Sequence, residues 1–109
     1  MEIAGREVEI RPVFQESFDE ILHYLQPHSH QQFERFKKDI VPKILAIVES
    51  PFAFPEVREL KTKQRWYRRA PYKKSYRIYY KVLAKKVIIL DIQHQRRDPE
   101  NLQKLRKKK

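Results

Sequence analysis

The sequence predicts an α+β fold with the element order β-α-α-β-β-β, in which an antiparallel sheet of about four strands carries a helical pair on one face. Four short segments alternate apolar and polar residues or form apolar runs, as strands do. Between them, two longer segments repeat apolar residues at helical spacing. The chain has 109 residues and no low-complexity linker, so we expect residues 1–109 to form a single domain.

The first strand and the first helix are predicted from periodicity. Arg6–Arg11 alternates charged and apolar residues, which is typical of a half-buried strand. Pro12 is expected to end that strand, because proline cannot donate to a ladder. Gln15–Leu25 has apolar residues at i, i+3, i+4 and i+7, which predicts an amphipathic helix that Pro27 stops.

The second helix is predicted over Ser29–Val48. Ser29 and Gln32 have the spacing of a capping box, in which side chains satisfy free N–H groups of the first turn. Pro42 lies inside the apolar pattern and is expected to kink the helix, because it removes one backbone hydrogen bond.

The second half of the chain is predicted to be mostly strand. Arg65–Arg69, Ser75–Val82 and Val87–Ile92 are rich in β-branched or aromatic residues. Leu83–Lys86 is short enough to close a hairpin between the last two. Asp98–Leu105 could form a terminal helix, with an aspartate as N-cap and a proline after it.

Alternation divides the Ser75–Val82 strand into two faces. One face carries Tyr76, Ile78, Tyr80 and Val82, and the other carries Ser75, Arg77, Tyr79 and Lys81. We expect the first face to be buried, together with Trp66 and Tyr72. Tyr79 is expected to be exposed, because it lies between two cations. The unbroken apolar run Val87–Leu90 predicts a central strand that is covered on both faces.

The positive charge is concentrated in one stretch. The net charge is +11, and residues 58–86 alone hold 12 lysines and arginines against Glu59. Residues 1–57 carry −4 and residues 87–109 carry +4. Such a dense block indicates an anionic partner, with nucleic acid first among the candidates. A solvated basic face without a partner is the alternative.

Several function classes find no support in the composition. The chain has no cysteine, which excludes disulfides and Cys-based zinc sites and fits a cytoplasmic location. Gly5 is the only glycine, so there is no Gly-rich phosphate loop and no G-x-S-x-G motif. His23, His28 and His30 match no zinc spacing. We therefore expect no metal, no cofactor and no membrane segment.

The basic and aromatic residues of Arg65–Lys81 are the strongest functional signal. Arginine and lysine bind phosphates, and aromatic rings stack on unpaired bases. His94 ends an apolar strand beside two arginines, which should favour its neutral form. A neutral histidine there could act as a general base or as a structural residue, and the pattern does not choose between the two.

The segments SYRIYYKV and KKVIILDIQHQRRDPENL resemble the RelE/ParE superfamily of toxins from type II toxin–antitoxin modules. The family's hallmark is a Tyr-Arg-hydrophobic-hydrophobic-Tyr strand, followed by a hydrophobic strand and an Arg-Arg-(Asp/Glu)-like ending. The resemblance implies one of two activities. RelE-like members cleave mRNA in the ribosomal A site without a metal, and ParE-like members poison DNA gyrase.

The RelE-like activity, ribosome-dependent cleavage of mRNA, is the one we expect, and it implies a set of site residues. Arg77, Arg96 and His94 are the candidate catalytic residues, with the arginines on the phosphate and the histidine moving a proton. The candidate RNA-binding residues are Arg68, Arg69, Lys73, Lys74, Tyr79, Lys81 and Arg97. The chain departs from the family pattern in two places, since Ala70 stands where a lysine is expected and no tyrosine follows Arg97.

The resemblance also implies partners. A cognate antitoxin should cover the basic face and the groove between sheet and helices with an acidic, amphipathic segment. The target is mRNA on the ribosome in the RelE-like interpretation, or DNA gyrase in the ParE-like one. A basic RNA-binding domain without either activity is the remaining alternative.

Overall fold

The computed structural model describes residues 2–96 and residue 105. In this part of the chain, one sheet is formed by β1 (Glu2–Ile3), β2 (Arg6–Ile10), β3 (Tyr67–Tyr72), β4 (Tyr76–Val82) and β5 (Lys86–His94). Between β2 and β3 lie α1 (Pro12–His28), α2 (His30–Lys38), α3 (Ile40–Glu49) and a 3₁₀ turn at Arg58–Leu60. The predicted α+β class is confirmed. The predicted helix Asp98–Leu105 lies outside the described residues except for Leu105, which is helical and buried.

The sheet is mixed, and its strand order is β1-β2-β5-β4-β3. Strand β2 runs parallel to β5, with Val8 opposite Val87 and Ile10 opposite Ile89, and the other pairs are antiparallel. The observed sheet therefore differs from the expected antiparallel sheet of about four strands, because it has one additional strand and one of its strand pairs is parallel. The direction of β2 relative to β5 depends on the path of the chain through the helices, which local alternation does not encode.

The added strand is joined to β2 by a two-residue loop. Ala4 and Gly5 both have positive φ angles, 53° and 77°, as a type I′ hairpin requires. Glycine adopts this conformation without a steric penalty, so the only glycine of the sequence lies at a position that needs it.

Two of the three proline predictions need correction. Pro12 follows the end of β2 as predicted, but Pro27 does not stop the first helix, which continues to His28. Pro12 is the first residue of α1, where its missing N–H removes no helical hydrogen bond. The helix therefore begins three residues before the predicted Gln15. The predicted second helix is divided at Asp39 into α2 and α3. Pro42 lies in the first turn of α3, because its ring would collide with the carbonyl of Lys38 in a continuous helix.

One half of the predicted capping box at the start of the second helix is confirmed, and the return bond from the Gln32 side chain to the Ser29 N–H is not formed. The Ser29 hydroxyl oxygen accepts a hydrogen bond from the backbone N–H of Gln32 at 3.2 Å. Ser29 is also the C-cap of α1, since its own N–H donates to the Leu25 carbonyl. One residue thus ends α1 and begins α2, which places the two helices as a close pair.

Apolar residues are buried on both faces of the sheet. The main cluster lies between the helices and the sheet, and includes Phe14, Phe18, Phe36, Ile44, Ile47, Ile78, Tyr80, Val87 and Ile89. The second cluster lies on the opposite face, and contains Val57, Leu60, Tyr67, Tyr79, Ile88, Leu90 and Leu105. Val87–Leu90 is buried throughout, which confirms the prediction of a central strand.

The second cluster overturns the expected exposure of Tyr79. Alternation does put Tyr79 on the face opposite Ile78 and Tyr80, as predicted. That face is covered by the segment that contains Val57 and Leu60, so only 3% of Tyr79 is exposed. The sequence pattern identifies the face of a residue but does not show what covers that face. The ring of Tyr79 is therefore not available to stack on a base.

Two buried tyrosines connect the sheet to the segments above it. The hydroxyl of Tyr72 donates to the Phe36 carbonyl, and that of Tyr80 donates to the Pro51 carbonyl, both at 2.6 Å. Burial raises the pKa of both hydroxyls, so they remain protonated donors. Each bond satisfies a carbonyl that packing would otherwise leave without a partner.

The core prediction is tested at Ile78, which is fully buried. The Ile78→Ala variant should lose roughly 2–5 kcal/mol of unfolding free energy, because the deletion removes buried area and leaves a cavity. Val41→Ala is the control, since Val41 is 60% exposed on α3, and should change stability by about 0.5 kcal/mol or less. Urea denaturation measures both. Equal losses would contradict the burial of Ile78.

The parallel pair is also bridged by an ionic contact. The Lys86 ammonium lies 2.6 Å from one Glu9 carboxylate oxygen, and the Arg11 guanidinium lies 3.0 Å from the other. The hydrogen bond from Lys86 is the main reason why the pKa of Glu9 lies below its usual value. Because the side chain is about one-third exposed, solvent screens much of this attraction.

The Glu9 contact predicts a pH-dependent stability difference. A carboxyl group whose pKa is lower in the folded state stabilises the fold above its ordinary pKa, about 4.3. That contribution is lost as the pH falls through the lowered folded-state pKa. Glu9→Gln should therefore be less stable than the wild type at pH 7 by under about 1 kcal/mol, and equally stable in strong acid. Urea titrations at both pH values test this, with Glu34→Gln as the control.

Candidate cationic interface

The β3–β4 hairpin presents the basic block at one end of the sheet. Its turn contains Lys73 and Lys74, and Lys73 has a positive φ of 54°. The Lys73 ammonium forms an ion pair with Asp39 at the junction of α2 and α3. That hydrogen bond lowers the pKa of the Asp39 carboxyl group. The turn is thus attached to the helices, and Lys74 is left at its exposed tip.

Two arginines project from the same face of this hairpin. Arg77 lies directly opposite Pro71, and Arg69 is two residues before Pro71 on the same strand. Together with Lys74, they line a cavity of about 420 Å³, the remaining walls of which are Phe54, Pro55, Pro71, Tyr76 and Gln95. None of these lining residues is acidic. We call this the cationic cavity, and its donors suit a phosphate or a carboxylate.

A second basic cavity adjoins the first. It has a volume of about 520 Å³, and its lining includes Arg35 on α2, Lys73 and Lys74 above a floor that contains Phe36. Because Lys74 lines both cavities, the positive surface continues around the turn. Arg35 was not predicted, since its helix is distant in sequence from the basic block. Only the packing of α2 against the hairpin brings it there.

Two more of the predicted RNA-binding residues, besides Lys73, are engaged within the protein. The Arg68 guanidinium donates to the carbonyls of Phe54 and Arg65, at 2.9 and 3.2 Å, and lies 4.7 Å from the ring centre of Phe52. The Lys81 ammonium lies 4.8 Å from the ring centre of Trp66. Arg68 therefore holds residues 50–66, the connector between α3 and β3. Arg69 and Arg77 form no hydrogen bond or ion pair with another described side chain.

The three candidate catalytic residues do not lie on one face. His94 is opposite Tyr76 in the sheet, and their rings meet edge to face with 5.4 Å between centres. Arg77 is the next residue after Tyr76 and projects from the other face. Arg96 lies beyond the strand and is exposed, and its backbone N–H donates to Nδ1 of His94 at 3.1 Å. Arg97 lies outside the described residues.

A buried polar network near the end of β5 was missed in the sequence. The Ser17 hydroxyl donates to Asp91 at 2.6 Å, and the side-chain amide of Gln93 donates to the other carboxylate oxygen at 3.0 Å. Asp91 and Gln93 are 5% and 4% exposed. The signal was visible, because an acid inside the apolar run of a central strand must find partners.

Comparison with known proteins identifies the family. A family model described as the ParE toxin of the type II toxin–antitoxin system parDE matches residues 8–99. The chain belongs to this toxin family. The predicted resemblance to RelE/ParE toxins is thereby confirmed, and membership in a toxin–antitoxin system implies a cognate antitoxin as partner.

Solved structures support the fold of this ParE-family toxin. The structure titled "Chromosomal ParDE TA system from P. aeruginosa" matches with a TM-score of 0.63 and 15% identity, covering 84% of this chain and 97% of that one. A conserved hypothetical protein from Helicobacter pylori matches with a TM-score of 0.48 and 20% identity, covering 83% and 94%. The second likeness is too weak to support an argument. A search of curated proteins finds no match.

Among the described residues, no helix of the toxin is long and apolar enough to cross a membrane. Nor does that part of the chain bring together three His, Asp or Glu side chains in an arrangement that could hold a metal ion.

The different roles of neighbouring arginines predict different effects on stability. Arg68→Ala should lower the unfolding free energy by roughly 1–2 kcal/mol, because carbonyls of the connector lose their donor. Arg77→Ala should stay within about 0.5 kcal/mol of the wild type, since its guanidinium holds no described group in place. Thermal and urea unfolding measure both. A larger loss for Arg77→Ala would make Arg77 a structural residue and remove it from the functional site.

Proposed function

We propose that this ParE-family toxin acts in the cytoplasm by binding DNA gyrase through its cationic cavity, without cleaving RNA. The observation that carries the proposal is the position of Arg77 and His94 on opposite faces of the sheet. General acid–base catalysis needs a base within hydrogen-bond reach of the reacting group. A phosphate held by Arg77 lies on the far side of the sheet from the imidazole.

Two further observations favour a binding role over RNA cleavage. Tyr79, the residue expected to stack on a base, is buried in the second cluster. The sequence also has no tyrosine after Arg97, where RelE-like enzymes carry one. The family model that matches the chain is itself described as a ParE toxin.

In this proposal, binding depends on complementary charge. Arg69, Arg77 and Lys74 converge on one concave surface that has no lining carboxylate. Two guanidinium groups present planar donor arrays that match carboxylates and phosphates. An acidic surface of gyrase, or the DNA that gyrase holds, supplies such groups. Arg77 and Arg69 are therefore the residues that bind the target, and the half-burial of both side chains strengthens each contact.

RNA cleavage on the ribosome is the second candidate, and the same cavity is the observation that favours it. Cations without a metal can stabilise the charge that accumulates when an RNA 2′-hydroxyl attacks the adjacent phosphate. Arg77, Arg69 and Lys74 would hold that phosphate, and Arg96 would have to reach it from beyond the strand. The expected product is a 2′,3′-cyclic phosphate on the upstream fragment, formed equally well with or without EDTA.

A pair of assays on the purified toxin separates the two candidates. We expect inhibition of gyrase supercoiling, and no toxin-dependent stops when translating ribosomes are mapped on a defined mRNA. Arg77→Ala should raise the half-inhibitory concentration about tenfold, which corresponds to the loss of one charge-assisted contact. Lys38→Ala is the matched control, because it removes one exposed cation outside the cationic cavity.

The opposite pattern would overturn the proposal. Ribosome-dependent cleavage that resists EDTA, combined with unaffected gyrase, would assign the protein to the RelE-like branch. A salt titration of binding adds a further distinction. Affinity that falls steeply with salt indicates contacts with phosphates, whereas a flat response indicates a protein surface as the target.

A further inference from the structure

A third cavity lies between α1 and the end of β5 and differs in character from the basic ones. It has a volume of about 330 Å³ and is lined by Ser17, Glu20, Ile21, Tyr24, Tyr76, Ile92, Gln93 and His94. It shares Tyr76 with the cationic cavity and none of that cavity's arginines or lysines. We call it the α1 cavity. Its volume suits one long side chain or a small molecule.

The polar network beside this cavity has an unused acceptor. The Gln93 amide nitrogen is oriented by its hydrogen bond to Asp91, which leaves Oε1 on the other side of the amide. That oxygen is buried and accepts no hydrogen bond from a described residue. Buried acceptors normally have a donor, and because Gln93 lines the cavity, a ligand held there is placed to supply one.

The negative charge of Asp91 points to the same kind of ligand. Its carboxylate receives hydrogen bonds from Ser17, the N–H of Ile92 and Gln93. No lysine or arginine among the described residues lies within ion-pair distance of it. A cation in the adjacent cavity would be attracted by this buried charge.

The walls of the cavity combine aromatic rings with a carboxylate. Tyr24 is 60% exposed at its mouth, and the edge-to-face pair of Tyr76 and His94 forms one wall. Glu20, an exposed residue of α1, adds a carboxylate that can reach a ligand from the solvent side. Aromatic faces with an adjacent carboxylate are a known arrangement for binding guanidinium and ammonium groups.

The charge of α1 supports a cationic ligand as well. Pro12–His28 contains three acids, Glu16, Asp19 and Glu20, and no lysine or arginine. The rest of the protein is strongly basic, but charges beyond about 8 Å are largely screened at physiological salt. Of these three acids Glu20 lines the cavity, and no lysine or arginine of the described residues does, so the charged lining is negative although the net charge of the chain is +11.

We propose that the α1 cavity binds an arginine side chain of a partner protein. The guanidinium group donates to Gln93 Oε1 and pairs with Glu20, while its flat face packs on Tyr24. Arginine suits the site better than lysine, because it stacks on aromatic rings and offers several donors in one plane. This inference does not depend on the choice between gyrase and RNA as the target.

Such a site would give the partner a defined register. A partner segment that covers the basic hairpin must be acidic there. Charge attraction alone lets that segment shift along the toxin surface. Binding at the α1 cavity requires one arginine at a fixed position of an otherwise acidic partner segment. Placing the arginine elsewhere would set it against Arg35 or Lys74, which penalises wrong alignments.

The test titrates ¹⁵N-labelled protein with N-acetyl-argininamide by NMR. We expect the Gln93 side-chain amide and the aromatic signals of Tyr24 and His94 to shift together. N-acetyl-citrullinamide, which keeps the shape but lacks the charge, should bind at least about tenfold more weakly. Glu20→Gln should weaken arginine binding by roughly tenfold. Glu16→Gln should leave it unchanged, since it removes the same charge from the same helix outside the cavity. Both substitutions are at exposed positions.

Three results would overturn the proposal. One is the absence of shifts at Gln93 and Tyr24, and another is equal binding of the arginine and citrulline probes. The third is tighter binding of spermidine than of the arginine probe, which would make the site one for free polyamines rather than for a protein side chain. Because gyrase inhibition and mRNA cleavage are assayed separately, failure here leaves the proposed function untouched.

Discussion

The two-sided burial of β5 is the constraint on which the rest of the structure depends. Its backbone pairs with β2 on one side and β4 on the other, and Val87–Leu90 is buried on both faces. A strand without solvent contact needs a partner for every backbone group and apolar cover above and below. The helices supply one cover, and the segment around Val57 and Leu60 supplies the other.

This arrangement decides which aromatic and basic residues of the hairpin are buried and which are accessible. Tyrosines occupy the covered part of the sheet, and the hydroxyl groups of two of them, Tyr72 and Tyr80, bind carbonyls of α2 and the connector. Arg68 projects toward that connector and is held by its carbonyls. Arg69 and Arg77 project from the other face near the end of the hairpin and line the cationic cavity, so they are the arginines to which we assign the target. Neighbouring residues of like charge thus have different surroundings.

The charge distribution gives the toxin two surfaces of opposite charge, to which we assign different ligands. The hairpin and α2 present cations around Lys74, whereas α1 presents Glu20 at a cavity with an unused acceptor. A partner that covers both surfaces must carry a complementary pattern rather than a uniform charge. Such patterns provide specificity and register more than affinity. The position of Tyr76 in both the α1 and the cationic cavity makes it the boundary between these surfaces.

The sequence by itself determined the α+β class, the central strand Val87–Leu90 and the cap at Ser29, because periodicity and capping act over a few residues. It also located the cations of the hairpin. Only the tertiary structure decided that β2 runs parallel to β5, that Tyr79 is buried, and that Arg77 and His94 lie on opposite faces. These facts depend on contacts between distant segments, since a local pattern specifies which face a residue takes but not what packs against that face.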